Sequence, residues 1–239
     1  LALNSWMQTP AGHVIDEGQI IAGSWLAVIF NPSFPYRLAH MLLASGITAS
    51  FLVAGLSAWR VLKAPQDEAA RKTLRFGAHL AAVLVPVQVV VGDLHGLNTF
   101  EHQPAKVAAI EAQWHTERGA ALTLIGFPNE DAERNDFAVT VPRALSLLLT
   151  HSLDGEVKGL AEFGADIPPG ARVFWSFRVM VGMGILMLLL SWTGSWVLRR
   201  STPRWLLWAF AGFTFSGWVA TLAGWLVTEI GGQPWLVSG

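Results

Sequence analysis

Three side chains able to bind a metal lie at or within long apolar runs of this chain: His40, Met180 and Glu229. Ionisable residues inside a membrane are costly and often mark a functional path. His40 and Met180 fall in two different runs. An imidazole nitrogen and a thioether sulfur together fill both axial positions of a heme iron, the soft sulfur favouring the ferrous state. Glu229 offers a weaker carboxylate ligand, suited to a high-spin iron with an open position. Arg178, two residues before Met180, has the planar fork that pairs with a propionate. Each residue also has a plainer chemistry. His40 can link helices through a hydrogen bond, Met180 can simply pack, as Met183 and Met187 are expected to do, and Glu229 can be a charge at the water boundary. His79 reads as an interfacial or hydrogen-bonded histidine, and His13, His95, His102, His115 and His151 match no zinc spacing.

The elements that must carry these groups follow from hydropathy. Of the 239 residues, 52% are hydrophobic and 14% charged, against about 25% charged in an ordinary soluble domain. Four stretches approach the roughly 20 apolar residues a membrane helix needs: 38–62, 76–91, 173–198 and 205–228. The second is the shortest and carries Pro86, which predicts a kink. The link between the first two holds Arg60, Lys63, Arg71, Lys72 and Arg75 against Asp67 and Glu68, and the link between the last two holds Arg199, Arg200 and Arg204. Both links are therefore expected on the cytoplasmic side. The segment 95–172 carries eleven acids against six Lys or Arg and is expected outside, together with the opening segment that holds Asp16 and Glu17. By the same rule His40, Met180 and Glu229 all lie towards the outer ends of their helices.

The expected fold class is thus an all-α membrane protein with four transmembrane helices and a long external loop between the second and third. Its parts are an external segment 1–37, helices one and two in 38–93, the loop in 94–172, and helices three and four with an external end in 173–239. Within the loop, 105–113 predicts a short helix, while Gly126-Phe-Pro-Asn and Ile167-Pro-Pro-Gly are turn signals. There is no cysteine, which excludes disulfides, iron–sulfur clusters, thiolate copper and covalently attached heme. A net charge of −1 gives no reason to expect nucleic acid as a partner. The chain opens on Leu1-Ala2-Leu3-Asn4 and reads as part of a longer membrane protein.

Five blocks occur in order: Asn4-Ser-Trp-Met-Gln-Thr-Pro10, Gly92-Asp-Leu-His-Gly96, Gln103-Pro-Ala-Lys-Val-Ala-Ala-Ile-Glu111, Trp175-Ser-Phe-Arg-Val-Met180 and Gly224-Trp-Leu-Val-Thr-Glu-Ile-Gly-Gly-Gln-Pro-Trp235. Together they resemble subunit I of cytochrome bd-type quinol oxidases, in the branch with a short quinol loop that includes the cyanide-insensitive oxidases. The resemblance implies that His40 and Met180 are the axial pair of the low-spin heme b, with Arg178 beside it. It implies that Glu229 is the carboxylate ligand of the high-spin heme b, with Trp225 an aromatic residue among the hemes. Lys106 and Glu111 match residues of the loop where quinol is oxidised, and a third heme, d or a further b, would reduce oxygen to water. Subunit II, a small accessory subunit, membrane lipid and the bacterial cytoplasmic (inner) membrane are implied in the same way, with loop 94–172 on the periplasmic side.

Two departures stand out. Gly232 occupies the place of an arginine usual in the family, and the family's N-terminal helices, with a further heme-binding histidine and proton-path acids, are not among these 239 residues and are expected in the rest of a longer protein. Two other functions are compatible with a polar cluster in such a chain: a diheme cytochrome b passing quinol electrons to another acceptor, and a transporter subunit without heme. The first ordinarily uses His–His pairs on both sides of the membrane, for which the spans hold too few histidines.

Overall fold

The computed structural model describes residues 1–164, 167–235 and 237. In chain order the elements are α1 (Ala2–Gln8), β1 (His13–Asp16), β2 (Gln19–Ala22), α2 (Trp25–Ile29), α3 (Phe34–Lys63) and α4 (Glu68–His102). They continue with α5 (Pro104–Glu111), β3 (Glu117–Arg118), β4 (Leu122–Asn129), β5 (Arg134–Val141), α6 (Ala144–Thr150) and β6 (Glu156–Val157). A 3-10 turn at Leu160–Phe163 precedes α7 (Gly170–Val197), α8 (Arg204–Gly212) and α9 (Ser216–Ile230). Helices dominate, and four stretches are long and apolar enough to cross a membrane: Phe34–Lys63, Glu68–His102, Gly170–Val197 and Arg204–Ile230.

Two of these differ from the sequence expectation. The second is not the shortest but, at 35 residues, the longest, and Pro86 lies inside it without ending it. Hydropathy marks only the apolar middle of that helix; its polar turns at either end remain helical. The fourth is interrupted at residues 213–215, between α8 and α9. There the hydroxyls of Thr214 and Ser216 donate to the carbonyls of Ala211 and Phe213. Such local hydroxyl bonds compete with regular helix hydrogen bonding.

The chain forms two compact units, one comprising Ala39–Gly92 and Val179–Ala223, the other Leu1–Leu38, Asp93–Arg178 and Gly224–Gly239. The first is a helix bundle with Phe51, Leu74, Leu198, Leu206 and Phe210 fully buried at its centre. Met183 and Met187 belong to this packing, as expected of them. Small residues allow close approach: a Cβ on Gly77 of α4 would lie 2.8 Å from the Ser50 carbonyl oxygen of α3. Polar links between α7 and α4 run from Trp192 Nε1 to the Ala82 carbonyl (3.0 Å) and from Ser195 Oγ to the Ala78 carbonyl (3.2 Å). Many large apolar side chains on these helices face outward, among them Leu42, Phe76, Val83, Leu189, Trp196 and Leu222. That distribution suits a bundle whose solvent is lipid rather than water.

The second unit holds the short elements. Its core joins α5 to the start of α7 and the end of α9 through Ala108, Ala109, Ile110, Trp114, Val173, Phe174 and Val227. The helix expected over 105–113 is α5, begun by Pro104 and closed by Ala112 in the left-handed conformation. Three antiparallel strand pairs, β1–β2, β3–β6 and β4–β5, accompany it. The turn expected at Gly126-Phe-Pro-Asn is instead part of β4. The hairpin reverses at residues 130–133, and Gly126 lies where the pairing register shifts between Ile125 and Phe127, the usual role of a glycine at a bulge.

Candidate functional site

Helix α5 is short, yet every side chain from Lys106 to Glu111 is buried. Five residues at 3.6 per turn separate two side chains by about 140° around the axis. Lys106 and Glu111 accordingly leave the helix in different directions and meet different partners.

Glu111 Oε2 accepts a hydrogen bond from Arg178 Nη2 at 2.7 Å, with both side chains nearly enclosed. Arg178 Nε and Nη2 also donate to the Thr123 carbonyl, at 3.0 and 2.6 Å. The guanidinium lies over the rings of Phe174 and Phe177, 4.4 and 5.4 Å from their centroids. Removal from water pushes the Glu111 carboxyl above the usual carboxylate range, while Arg178 opposes that shift. Arg178 was expected beside a propionate. Here its Nε and Nη2 donors are committed to the carboxylate of α5 and the backbone of β4.

Lys106 is 4% exposed. Its Nζ donates to Gln8 Oε1 at 2.5 Å and to Gln103 Oε1 at 3.2 Å. Its pKa falls to about 7, chiefly through burial and then through the neighbouring Arg37, with Glu229 acting in the opposite sense. A Cβ on Gly231 would come within 2.9 Å of Lys106 Cε, so only glycine lets the turn after α9 lie against the lysine stem.

Glu229, near the end of α9, accepts a hydrogen bond at Oε1 from Asn4 Nδ2, at 3.0 Å. Asn4 Oδ1 in turn accepts from Arg37 Nη1 at 2.7 Å. Arg37 Nη2 also donates to Gln8 Oε1. Two cations, Arg37 and Lys106, thus stand within electrostatic reach of one carboxylate. Trp225 is four residues before Glu229, hence on the same side of α9, and is 58% exposed. At Gly232 an added Cβ would meet nothing nearer than the Thr228 carbonyl oxygen, at 3.4 Å. A larger residue there has room, and the missing arginine is not a steric necessity.

His40 and Met180 lie in the helix-bundle unit, on α3 and α7, both half-buried. The His40 ring rests against Gly92 of α4, where a Cβ would be 3.3 Å from Cε1 and 3.7 Å from Nδ1. The first glycine of Gly92-Asp-Leu-His-Gly96 therefore makes the cradle that seats this imidazole. Cradle and donor chemistry fit an axial histidine, and a thioether outside the packed core fits its partner. Glu229, with Oε2 not engaged among the described residues, fits a carboxylate ligand. His79 Nδ1 donates to the Arg75 carbonyl at 2.6 Å, which is the hydrogen-bonded role expected of it.

The residues that sequence reasoning missed are Asn4, Gln8, Arg37, Gly92 and Thr123. Asn4 and Gln8 were visible as a polar pair four apart inside a recognised block, and Arg37 as a cation one turn before His40. Their partners, 29 to 225 residues away in sequence, were not.

Four membrane-length helices among the described residues, three of which carry or border an imidazole, a thioether or a carboxylate, define a polytopic helical membrane protein. The chain belongs to the cytochrome bd terminal oxidase subunit I family, which it matches over residues 1–239. It is 32% identical over its whole length to "Cytochrome bd ubiquinol oxidase subunit 1" of Bacillus subtilis (strain 168), covering 54% of that protein. It is 28% identical to "Cytochrome bd-II ubiquinol oxidase subunit 1" of Escherichia coli (strain K12), covering 60%. The bd oxidase structure from Geobacillus thermodenitrificans superimposes with a TM-score of 0.88 at 30% identity, over all of this chain and 56% of that one. The chain spans a little over half the length of these relatives.

Proposed function

We propose that this chain forms the heme-binding part of a membrane terminal oxidase that oxidises quinol on the outer side of the bacterial inner membrane and reduces oxygen to water. The observation that carries the reading is the buried Glu111–Arg178 pair, 2.7 Å apart. It ties the carboxylate of α5 to a residue two positions before Met180, which would help hold the low-spin heme. His40 and Met180 would hold a low-spin heme b, Glu229 a high-spin heme b, and residues outside this chain the third heme. When bound, the hemes supply one-electron carriage from quinol to oxygen.

Oxidising a quinol releases two protons and two electrons. Glu111, its carboxyl pushed above the usual range by burial with Arg178 opposing, is the base placed to accept a proton from a quinol hydroxyl. Arg178 fixes the orientation of that carboxylate. Lys106, with a pKa of about 7, acts on the quinol site through a charge that can be present or absent near neutrality. Protons leave on the outer side if loop 94–172 faces outward, and oxygen reduction consuming protons from the inner side then builds a gradient without a pump. Subunit II and a small accessory subunit complete the assembly.

The test is a reduced-minus-oxidised spectrum of the purified full-length oxidase. Heme bands are expected, and their absence from the holoprotein would end the reading. His40→Ala and Met180→Leu should each abolish the low-spin signal. Glu111→Ala should slow quinol oxidation with all hemes retained, and normal turnover at every quinol concentration would count against its role.

A further inference from the structure

The block Asn4-Ser-Trp-Met-Gln-Thr-Pro10 has no part in the chemistry assigned so far, yet three of its polar side chains are buried. Ser5 is 0% exposed, Thr9 5% and Gln8 8%. A seven-residue helix such as α1 is not stable alone and must be held by its surroundings. One side is anchored: Ser5 Oγ and Thr9 Oγ1, four residues apart, both donate to Asn31 Oδ1, at 2.7 and 3.1 Å. The adjacent side presents Asn4 and Gln8, also four apart and therefore on one face. This is the face that meets Glu229, Arg37 and Lys106.

The direction of the Asn4 amide is dictated by its neighbours. A guanidinium only donates, so Asn4 must turn its oxygen towards Arg37, which leaves its NH2 for Glu229. The same logic fixes Gln8, whose oxygen accepts from both Arg37 and Lys106. Gln103 Nε2 adds a bond to the Gln8 carbonyl at 3.2 Å.

We propose that Asn4 and Gln8 are positioning residues that orient the Glu229 carboxylate by one committed donor and gather the Arg37 and Lys106 cations beside it. The face of α1 thereby connects the quinol-side helix α5 to the carboxylate of α9. This rests on the reading of Glu229 as a heme ligand. Hydrogen bonds to a ligating carboxylate withdraw charge from it, so loss of the Asn4 donor makes Glu229 a more electron-rich ligand and favours the ferric state.

The experiment is a redox titration, with optical spectra, of the full-length heme-loaded oxidase carrying Asn4→Leu, Asn4→Asp, Gln8→Met, Thr9→Val or Glu229→Gln. Asn4→Leu is expected to lower the midpoint potential of the high-spin heme and leave the low-spin heme unmoved. Asn4→Asp, which puts a second negative charge beside Glu229, lowers it further. Gln8→Met, which removes the shared acceptor of both cations and leaves Arg37 held by Asn4 alone, shifts the same heme, and Thr9→Val, which touches only the anchor, shifts neither. Loss of the high-spin heme from the Asn4 variants but not from Thr9→Val also supports the assignment. An unmoved high-spin potential in Asn4→Leu and Gln8→Met overturns it, as does equal disturbance by Thr9→Val, which would reduce α1 to a scaffold. If those variants are silent while Glu229→Gln removes the high-spin signal, this inference alone fails. If Glu229→Gln keeps that signal, the ligand reading and the inference fall together.

Discussion

Glu111 and Lys106 pose opposite electrostatic problems on one short helix. Glu111 meets a full countercharge in Arg178 at 2.7 Å, whereas the nearest partners of Lys106 are the neutral amides of Gln8 and Gln103. The ordinary lysine value is 10.5, and in the folded chain it falls to about 7. Between those values the unfolded chain keeps the proton and the folded chain releases it, so this residue makes stability rise with pH across that window. Its contribution is lost as pH falls through about 7. Each unit is worth up to about 1.4 kcal/mol. Lys106→Met should remove the slope: the melting temperature of wild type relative to the variant is expected to climb from pH 7 to pH 10, measured on the same detergent-solubilised oxidase. A gap that does not change with pH would mean that Lys106 titrates as an exposed lysine does. At this scale the sequence identified the residue types but not their partners. Lys106 and Glu111 read together as residues of the quinol loop, and their separation around the axis gains meaning only once distant partners are known. Arg178 read as a heme contact for the same reason, since Thr123 and Glu111 lie 55 and 67 residues away.

At the scale of elements, apolar runs located all four long helices but not their ends or interruptions. Helix α4 extends well past its apolar stretch into Glu68–Arg75, where Glu, Ala, Arg and Lys are good helix formers, and into Asp93–His102, where Gly96, Asn98 and Thr99 give propensity no such support. Strand β4 carries no clear period-2 pattern, with Gly126 and Pro128 inside it, while β5 alternates only over Asp136–Val141 and leaves its apolar side chains exposed, a signal too short to mark a strand pair by sequence. What holds the long helices together is close approach, and Gly77 is its sharpest point. A side chain there would strike the Ser50 carbonyl at 2.8 Å and Ala54 Cβ at 3.1 Å, backbone and short side chain that cannot move aside. Gly77→Leu should therefore separate α3 from α4 at a cost of at least about 1–3 kcal/mol, read as a lowered melting temperature. Gly182→Leu on α7, where an added Cβ meets nothing within 4 Å, is the control expected to leave stability near wild type. Equal effects at both positions would place the helix contact elsewhere.

The whole molecule poses the question of sidedness, which hydropathy and fold similarity leave untouched. Two short links carry the positive charge: five Lys or Arg from Arg60 to Arg75, and three Arg from Arg199 to Arg204. An acidic segment of some 70 residues separates the second and third membrane-length helices. Retention of short basic links on the cytoplasmic side governs orientation, while long segments cross largely regardless of charge. The 130–133 reversal between β4 and β5 should then face outward. Asp131 is exposed at that reversal, and the chain has no cysteine, so Asp131→Cys in an otherwise cysteine-free oxidase gives an unambiguous probe. A membrane-impermeant maleimide is expected to label it in intact spheroplasts. Lys72→Cys, exposed near the start of α4, should react only after the membrane is opened. The reverse pattern would turn the molecule over, place Glu111 on the cytoplasmic side, and remove the basis for the proposed gradient built by releasing quinol protons outside.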